Sequence, residues 1–283
     1  MRCRRQKVQQ GENPREVAQS AKARNSASRV IRSYLFIAAM VILAAPYVLF
    51  FVLIFLPRPL IRKVYYSYLR ASMWLLKVIC KTTFQVQGME TVPSGPVIFA
   101  SKHQSHWDSA FLPMLLGDPV AIVKREILYL PVLGWIGLRM GHIFIDRTGG
   151  PSTFARLVAK VRGRAAEGRS ILIFPEGTRK SAKPYDQPDY HTGAAALYQV
   201  LGLPCVPIAL NSGLYWPAKS MLRYEGVVRV KVLPAIPAGL SRREFHEVLA
   251  STIEAHSRHL AEVGEREGGS FVTADDRAGA RTY

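Results

Sequence analysis

The chain has 283 residues, of which 49% are hydrophobic and 10% aromatic, and 38 Lys+Arg against 20 Asp+Glu give a formal net charge of +18. This composition can build a sizeable packed core, which excludes collagen, a coiled coil and a disordered chain. The length fits two domains, or one α/β domain with an attachment segment. Three widely spaced cysteines, Cys3, Cys80 and Cys205, exclude a disulfide framework and indicate a reducing compartment.

The positive charge is concentrated at one end of the chain. Residues 1–82 carry 15 Lys/Arg against 2 Glu, whereas residues 83–283 carry 23 Lys/Arg against 18 Asp/Glu. Such an excess indicates a polyanionic partner, either nucleic acid or an anionic membrane surface. Because the excess surrounds the most apolar stretch of the chain, we expect anionic membrane lipids as partners and no nucleic acid.

An uncharged stretch of 25 residues lies between Arg32 and Arg58. As a helix it would be about 37 Å long, which exceeds the ~30 Å hydrocarbon core of a bilayer. Both flanks are basic and therefore favour the cytoplasmic side, and Pro46 is able to break the helix into two halves too short to cross. Residues 33–57 are predicted either to span the bilayer or to re-enter on the same side.

The next segment, residues 60–81, has the pattern of an interfacial amphipathic helix. Four basic residues form one stripe along it: Lys63, Arg70, Lys77 and Lys81. The alternative is an ordinary amphipathic helix that packs on its own domain. We predict a basic arm over residues 1–31 and a membrane-attaching two-helix segment over residues 32–82. The protein is then expected at the inner (cytoplasmic) membrane, with the following domain on the cytoplasmic side.

Residues 83–263 have the composition of a soluble α/β domain. Six apolar runs predict strands: PVIFA (96–100), AIV (121–123), HIFI (142–145), ILIF (171–174), CVPIAL (205–210) and VVRVKVLPAI (227–236). The helical stretch 152–168 ends at Gly168 and joins the third and fourth runs, which predicts a parallel βαβ crossover. A last helix, 241–263, begins with a serine cap, and the tail, 264–283, is predicted to be disordered. The expected fold is a mixed, largely parallel sheet flanked by helices.

Polar residues cluster directly after four of the predicted strands. PVIFA leads into SKHQSHWD, HIFI into Asp146-Arg147, ILIF into PEGTRK, and CVPIAL into Asn211. Open α/β sheets bind ligands at the carboxyl ends of their strands. One site could therefore collect all four clusters.

The first cluster pairs His103 with Asp108. An Asp in the first turn of a helix can accept a hydrogen bond from an imidazole N–H, which leaves the other ring nitrogen free as a base. No nearby serine lies in a G-x-S-x-G elbow, so the simplest use of this base is to activate a hydroxyl group on a substrate. The alternative is a solvated histidine with Asp108 as a helix cap. His106 is interpreted as a surface or supporting residue.

The second and third clusters supply positive charge and backbone donors. Arg147 and Arg179 offer guanidinium forks, and Gly177 allows close backbone approach, a combination that suits a phosphate group. Glu176 would pair with an arginine or with substrate hydroxyls, and the alternative is a structural Arg–carboxylate pair in a loop. No metal is expected, because the histidine pairs lack convergent ligands at zinc spacing.

Four blocks in order along the chain match a known family: His103-Gln104-Ser105-His106-Trp107-Asp108, Gly141-His142-Ile143-Phe144-Ile145-Asp146-Arg147, Phe174-Pro175-Glu176-Gly177-Thr178-Arg179 and Val206-Pro207-Ile208-Ala209. Over about residues 85–215 the chain thereby resembles the glycerolipid acyltransferases, especially the bacterial 1-acylglycerol-3-phosphate O-acyltransferases. That family often has Asn before the histidine of the first block, where this chain has Lys102.

The resemblance implies an acyltransferase domain. His103, oriented by Asp108, would deprotonate the sn-2 hydroxyl of lysophosphatidic acid. The alkoxide would attack the thioester of an acyl-CoA or acyl carrier protein, giving phosphatidic acid without a covalent acyl-enzyme. The glycerol-phosphate part would be bound by a set of residues carried over from the blocks, with Lys124 joining them: Lys124, Arg147, Glu176, Gly177, Thr178 and Arg179. No cofactor is implied, since the acyl donor is a substrate.

Other functions stay open at this point. The acceptor could be another lysolipid, such as a lyso-ornithine lipid, although that lipid has no phosphate for the cationic residues to bind. A non-catalytic membrane protein that binds anionic lipids would explain the N-terminal charge, but it gives no reason for His103 and Asp108 in the same site. An esterase is weakened by the missing nucleophile elbow.

Overall fold

The structure, a computed structural model, describes residues 14–49, 57–130, 132–146, 150–179 and 190–268. Its helices are α1 (Pro14–Leu49), α2 (Arg58–Cys80), α3 (His106–Leu115), α4 (Leu133–Met140), α5 (Gly150–Ala166), α6 (Thr192–Leu201) and α7 (Arg242–Arg266). Its strands are β1 (Thr82–Gln87), β2 (Ile98–Ser101), β3 (Val120–Lys124), β4 (Ile143–Ile145), β5 (Ile171–Ile173), β6 (Cys205–Leu210) and β7 (Gly226–Val232). The predicted arm before residue 14, Arg147 and the predicted tail from residue 269 onward lie outside the described residues.

Seven strands of the described residues form one sheet in the order β1-β7-β6-β2-β5-β3-β4. Neighbouring strands are parallel except β6 and β7, which are antiparallel. This arrangement confirms the predicted α/β class with a mixed, largely parallel sheet. The residues of β2, β5 and β6 are all buried, which explains why these strands are continuous apolar runs in the sequence.

The edge strand β1 is absent from the predicted strands. Its sequence, TTFQVQ, contains four polar residues in six, and most of its side chains are exposed or half-buried. It pairs in parallel with β7 along its whole length. A strand on the exposed edge of a sheet needs no apolar run, so composition alone did not mark it.

The crossover through α5 differs from the prediction in one respect. The helix joins the parallel strands β4 and β5 and ends at Ala166, just before Gly168, which has a φ of 78°. However, β3 lies between β4 and β5 in the sheet. The two strands are therefore parallel but are not neighbours.

The apolar face of α2 packs on the α/β domain. Seven of its side chains are buried: Ile61, Tyr66, Leu69, Ser72, Met73, Leu76 and Cys80. The Tyr66 hydroxyl donates to Oδ1 of Asp118 at 2.9 Å, and Arg58 forms an ion pair with the same carboxylate. The apolar face of α2 therefore packs on its own domain, as the alternative of an ordinary amphipathic helix expects. Trp74 and Val78 are exposed.

The helix α1 does not break at its proline. It continues through Pro46 to Leu49. Its stretch Ser26–Pro46 has a mean hydropathy of 1.6 and is only 11% buried, so by length and composition alone it could cross a membrane.

The two N-terminal helices form a hairpin, and the start of the uncharged stretch in α1 also contacts the domain. The Cys80 thiol, at the end of α2, donates to the backbone carbonyl of Arg32 in α1 at 3.7 Å. Phe36 packs edge-on against Trp216 of the domain, with 5.7 Å between the ring centroids. The start of the uncharged stretch therefore contacts the α/β domain, through Ser33 and Phe36.

Candidate active site

The topology of the sheet brings three of the four polar clusters together. β2 lies between β5 and β6, and the carboxyl ends of these parallel strands meet at one edge. The loop after β2 carries His103, the loop after β5 carries Glu176, and the loop after β6 carries Ser212. The cluster after β4 begins at Asp146, two strands beyond β5.

His103 and Asp108 form the pair that the sequence predicts. The Oδ2 of Asp108 lies 3.2 Å from Nδ1 of His103 and also accepts from the backbone N–H groups of Gln104 at 2.6 Å and Ser105 at 2.9 Å. Ser105 is the N-cap of α3, and Asp108 completes its capping box. One fully buried carboxylate therefore caps the helix and holds the imidazole.

The tautomer of His103 follows from these contacts. Since Oδ2 of Asp108 already accepts two backbone N–H groups, we assign the imidazole proton to Nδ1, which leaves Nε2 as the basic nitrogen. One face of the ring stacks on Phe174, with 4.1 Å between centroids, and the side chain is 11% exposed. The ring is thus fixed in orientation but accessible to a substrate.

The loop after β6 holds Asp108 from its other side. The Ser212 hydroxyl donates to Oδ1 of Asp108. The backbone N–H of Gly213 donates to the side-chain oxygen of Gln104 at 3.1 Å, which ties the same loop to the residue beside His103. All four groups are buried, so the carboxylate has little freedom to move.

A buried charge cluster lies beneath the histidine. It consists of Lys102, Glu176, Glu254 and Tyr190. The ammonium of Lys102 is 3.0 Å from Oε1 of Glu176 and also pairs with Glu254 of α7. The Tyr190 hydroxyl donates to Oε1 of Glu254 at 2.9 Å. The side chains of Lys102 and Glu176 are 2% and 1% exposed, so each charge depends on its partners within the protein.

Glu176 connects this cluster to the base. Its Oε1 accepts from the backbone N–H of His103 at 3.5 Å. Burial raises the pKa of Glu176 to about 7, although the nearby Lys102 opposes that rise. The second oxygen, Oε2, is buried and has no hydrogen-bond partner among the described residues. The predicted contact of Glu176 with the lysolipid stays a prediction.

Arg179 lies beside His106 at the surface. Its Nη1 contacts the ring nitrogens of His106. Partial burial of the ring, followed by the charge of Arg179, lowers the pKa of His106 to about 4, so the ring is neutral at pH 7 and accepts from the guanidinium. Two residues before Arg179 the chain turns at Gly177, which has a φ of 64°. Thr178, between these two residues, is exposed. The turn presents cationic and backbone groups to solvent.

The remaining predicted binding residues are not placed with this group. Lys124, at the end of β3, is 56% exposed and pairs with Glu126 at 3.1 Å. Arg147 lies outside the described residues, and the preceding Asp146 is 3.8 Å from Arg125. The roles of Lys124 and Arg147 in substrate binding stay predictions.

An apolar cavity of about 330 Å³ lies between the sheet and two of its helices. Its walls come from β3, β4, β5, α5 and α6, and they include Ile145, Phe154, Leu157 and Phe174. Phe174 is also the residue on which His103 stacks. Phe174 therefore contacts both the cavity and His103, although His103 itself does not line the cavity.

Several residues of the site were missed by sequence reasoning. Ser212, Tyr190 and Glu254 are far from the first block in sequence and reach it only through the fold. Glu254 did carry a signal, because it lies on the buried face of α7, and a charged residue on such a face needs a partner. From the sequence, Lys102 differs from the family pattern but has no predicted role.

His103 and a buried carboxylate thus lie together at one edge of the sheet, an arrangement that can supply a general base for a hydroxyl group. A family model described as Acyltransferase matches residues 83–211. The 1-acyl-sn-glycerol-3-phosphate acyltransferase of Pseudomonas aeruginosa is 35% identical over 190 residues, which cover 67% of this chain and 73% of the relative. The chain therefore belongs to the acyltransferase family and is an O-acyltransferase.

Two further similarities agree with this assignment. The 1-acyl-sn-glycerol-3-phosphate acyltransferase of Escherichia coli is 26% identical over 214 residues, which cover 71% of this chain and 82% of the relative. The crystal structure of the 1-acyl-sn-glycerophosphate (LPA) acyltransferase from Thermotoga maritima matches with a TM-score of 0.63 at 19% identity, over 84% of this chain and 97% of that chain. This last match confirms the fold.

Proposed function

We propose that the protein transfers a fatty acyl group from acyl-CoA or acyl carrier protein to the sn-2 hydroxyl of 1-acylglycerol-3-phosphate, forming phosphatidic acid in phospholipid biosynthesis. The observation that carries this proposal is the His103–Asp108 pair, in which a fully buried carboxylate holds an imidazole that is 11% exposed and whose Nε2 is positioned to take a proton. The names of the relatives support lysophosphatidic acid as the acceptor.

The reaction follows from the tautomer of His103. Nε2 takes the proton of the sn-2 hydroxyl, and the oxygen attacks the thioester carbonyl to form a tetrahedral intermediate. The intermediate then expels the thiolate, and the imidazolium gives the thiolate the proton that came from the hydroxyl. The C–S bond is thereby replaced by a C–O bond with no net change of charge. Asp108 stabilises the imidazolium through its hydrogen bond to Nδ1.

The cationic turn favours a lysolipid that carries a phosphate. Arg179 has donor groups beyond the one that contacts His106, because a guanidinium carries five N–H groups. Gly177 brings the backbone close to the same place. A lyso-ornithine lipid has no phosphate and would leave these groups without an anionic partner. The apolar cavity lined by Phe174 supplies space for an acyl chain.

The protein is proposed to attach to the cytoplasmic face of the inner membrane. A span would place one of two basic flanks outside, which is unfavourable. In addition, the backbone N–H of Arg223 donates to the hydroxyl of Ser33 at 2.8 Å, and Arg32 pairs with Glu225 at 3.1 Å. These contacts hold the start of the uncharged stretch on the domain and favour a re-entrant hairpin over a span.

The function is tested by offering lysolipids to the purified full-length protein in detergent. Lysophosphatidic acid, a lyso-ornithine lipid and lysophosphatidylcholine are each supplied with acyl-CoA or acyl carrier protein, and the diacyl products are identified by mass spectrometry. We expect phosphatidic acid as the main product. A faster reaction with the lyso-ornithine lipid would assign the enzyme to that acceptor, and a lack of product from every pair would contradict the proposal.

We expect Arg179→Ala to weaken the use of lysophosphatidic acid more than the use of the acyl donor. Loss of a charge-assisted contact to phosphate costs about 1.5–3 kcal/mol, or roughly tenfold to above a hundredfold in binding. The measurement is kcat/KM for each substrate, with Arg242→Ala, an exposed arginine that contacts Gln199, as the matched control. A change confined to the donor would instead assign Arg179 to the phosphates of the donor.

A further inference from the structure

The segment between β3 and β4 turns large apolar side chains outward. It contains a 3₁₀ helix, Arg125–Tyr129, followed by α4. Six of its side chains are between 36% and 67% exposed, and they are called here the outer apolar face: Ile127, Tyr129, Leu130, Leu133, Trp135 and Leu138. A helix of a soluble protein normally buries such residues, whereas α4 exposes Leu133, Trp135 and Leu138.

The inner side of α4 explains why these residues cannot turn inward. Its buried residues are Gly134, Gly137 and Met140. A Cβ on Gly134 would lie 2.1 Å from the carbonyl oxygen of Leu128, and one on Gly137 would lie 2.8 Å from the ring of Phe144. The helix is packed so closely against its neighbours that only glycine fits there. The outward orientation of the leucines and of Trp135 is therefore built into the fold.

The outer apolar face lies beside the N-terminal helices. The guanidinium of Arg58, at the start of α2, donates to the carbonyl of Met140 at the end of α4 with a distance of 3.2 Å. On α2, Leu60, Trp74 and Val78 are also exposed. The outer apolar face therefore neighbours the start of α2, where Leu60 is exposed.

The residues around the face match the chemistry of a lipid interface. Tyr and Trp are enriched where hydrocarbon meets the headgroups, and the face contains Tyr129 and Trp135. Lys124 and Arg125 precede it and are 56% and 57% exposed, each with a nearby carboxylate, Glu126 and Asp146 respectively. Arg139 is exposed within it. Cations beside an apolar surface are attracted to the anionic headgroups of a bilayer.

We propose that the outer apolar face inserts into the interfacial layer of an anionic bilayer and forms a second membrane attachment, separate from the N-terminal hairpin. The segment joins β3 to β4, and Ile122 of β3 and Ile145 of β4 line the apolar cavity. Insertion of the segment would therefore hold the cavity close to the bilayer surface. This inference does not depend on which lysolipid is the acceptor.

The direct test places a fluorescent label on the face. The background is full-length protein with the Cys3→Ser substitution. In it, a single cysteine is introduced by Leu133→Cys or Leu138→Cys and labelled with the environment-sensitive dye NBD. Vesicles of phosphatidylethanolamine and phosphatidylglycerol are then added. We expect the NBD emission to shift to shorter wavelength on addition of vesicles and to be quenched by doxyl-labelled lipids. A label at Val248→Cys, on the exposed side of α7, is the matched control and should keep its emission in water.

Two results would overturn the proposal. Labels at 133 and 138 that stay in water while the protein is bound to vesicles would show that the hairpin alone makes contact. A blue shift that develops with protein concentration in detergent, and that doxyl-labelled lipids do not quench, would assign the face to a second copy of the chain.

The functional consequence is tested with Leu133→Glu/Leu138→Glu. Full burial of one leucine is worth about 1.5–3 kcal/mol, so we expect the vesicle partition coefficient to fall roughly tenfold or more. Activity on a short-chain, water-soluble lysolipid should be unchanged, which separates this result from a failure of the proposed function. Val248→Glu is the control, and a double variant that partitions like the wild type would contradict the proposal.

Discussion

We expect His103→Ala to abolish acyl transfer in a protein that keeps its fold. The ring stacks on Phe174 and makes one side-chain hydrogen bond, to Asp108, so its loss costs some packing but leaves the capping box of α3 in place. A positioned general base contributes about 10²–10⁴-fold to the rate. The measurement is kcat with saturating donor and lysophosphatidic acid, together with the thermal unfolding midpoint of each protein.

The Asp108→Asn variant should show a large but incomplete loss. An amide in place of the carboxylate brings N–H donors or a weaker acceptor toward His103, Gln104 and Ser105, so the imidazole loses its fixed tautomer. Because Asp108 also caps α3, stability is measured alongside, and Ser212→Ala serves as the milder comparison that leaves the cap intact. Turnover at the wild-type rate by a folded His103→Ala protein would exclude His103 as the base.

The second large effect is expected at Lys102. Burial raises the pKa of Glu176, Lys102 lowers it and Glu254 raises it further. If ionised Glu176 supports the base, Lys102→Met moves the acid limb of the pH–rate profile to higher pH, because Glu176 then takes up its proton more readily. Glu254→Gln moves the same limb to lower pH. The measurement is kcat/KM as a function of pH for both variants.

Stability provides the control for this pair of variants. Removing one partner of a buried ion pair typically costs about 3–5 kcal/mol, so Lys102→Met should also lower the unfolding midpoint. The double variant Lys102→Met/Glu254→Gln removes one cation and one anion together and should recover part of that stability. If the acid limbs of the two pH–rate profiles shift in the same direction, or do not shift, the cluster only stabilises the fold.

The central sheet could be predicted from the sequence because its strands are buried. β2, β5 and β6 are continuous apolar runs, and the polar residues that end them, such as His103, mark the site. The polar edge strand β1 left no such signal. The order of strands was also beyond the sequence, since the position of β3 between β4 and β5 depends on long-range pairing.

Within the site, local contacts were predictable and distant ones were not. His103 and Asp108 are five residues apart on the two sides of a helix cap, so their pairing follows from local geometry. Lys102 meets Glu254 across 152 residues of chain, and this contact exists only because α7 packs on the sheet. The stacking of His103 on Phe174 likewise requires β2 and β5 to be neighbours.

The most direct test of the account is the intact mass of the protein during turnover. Wild-type protein is mixed with the acyl donor alone, its mass is recorded, and lysophosphatidic acid is then added. Direct transfer to a hydroxyl activated by His103 predicts an unchanged protein mass and phosphatidic acid only after the lysolipid is present. An acylated protein that forms with the donor alone and transfers its acyl group to the added lysolipid would contradict the account.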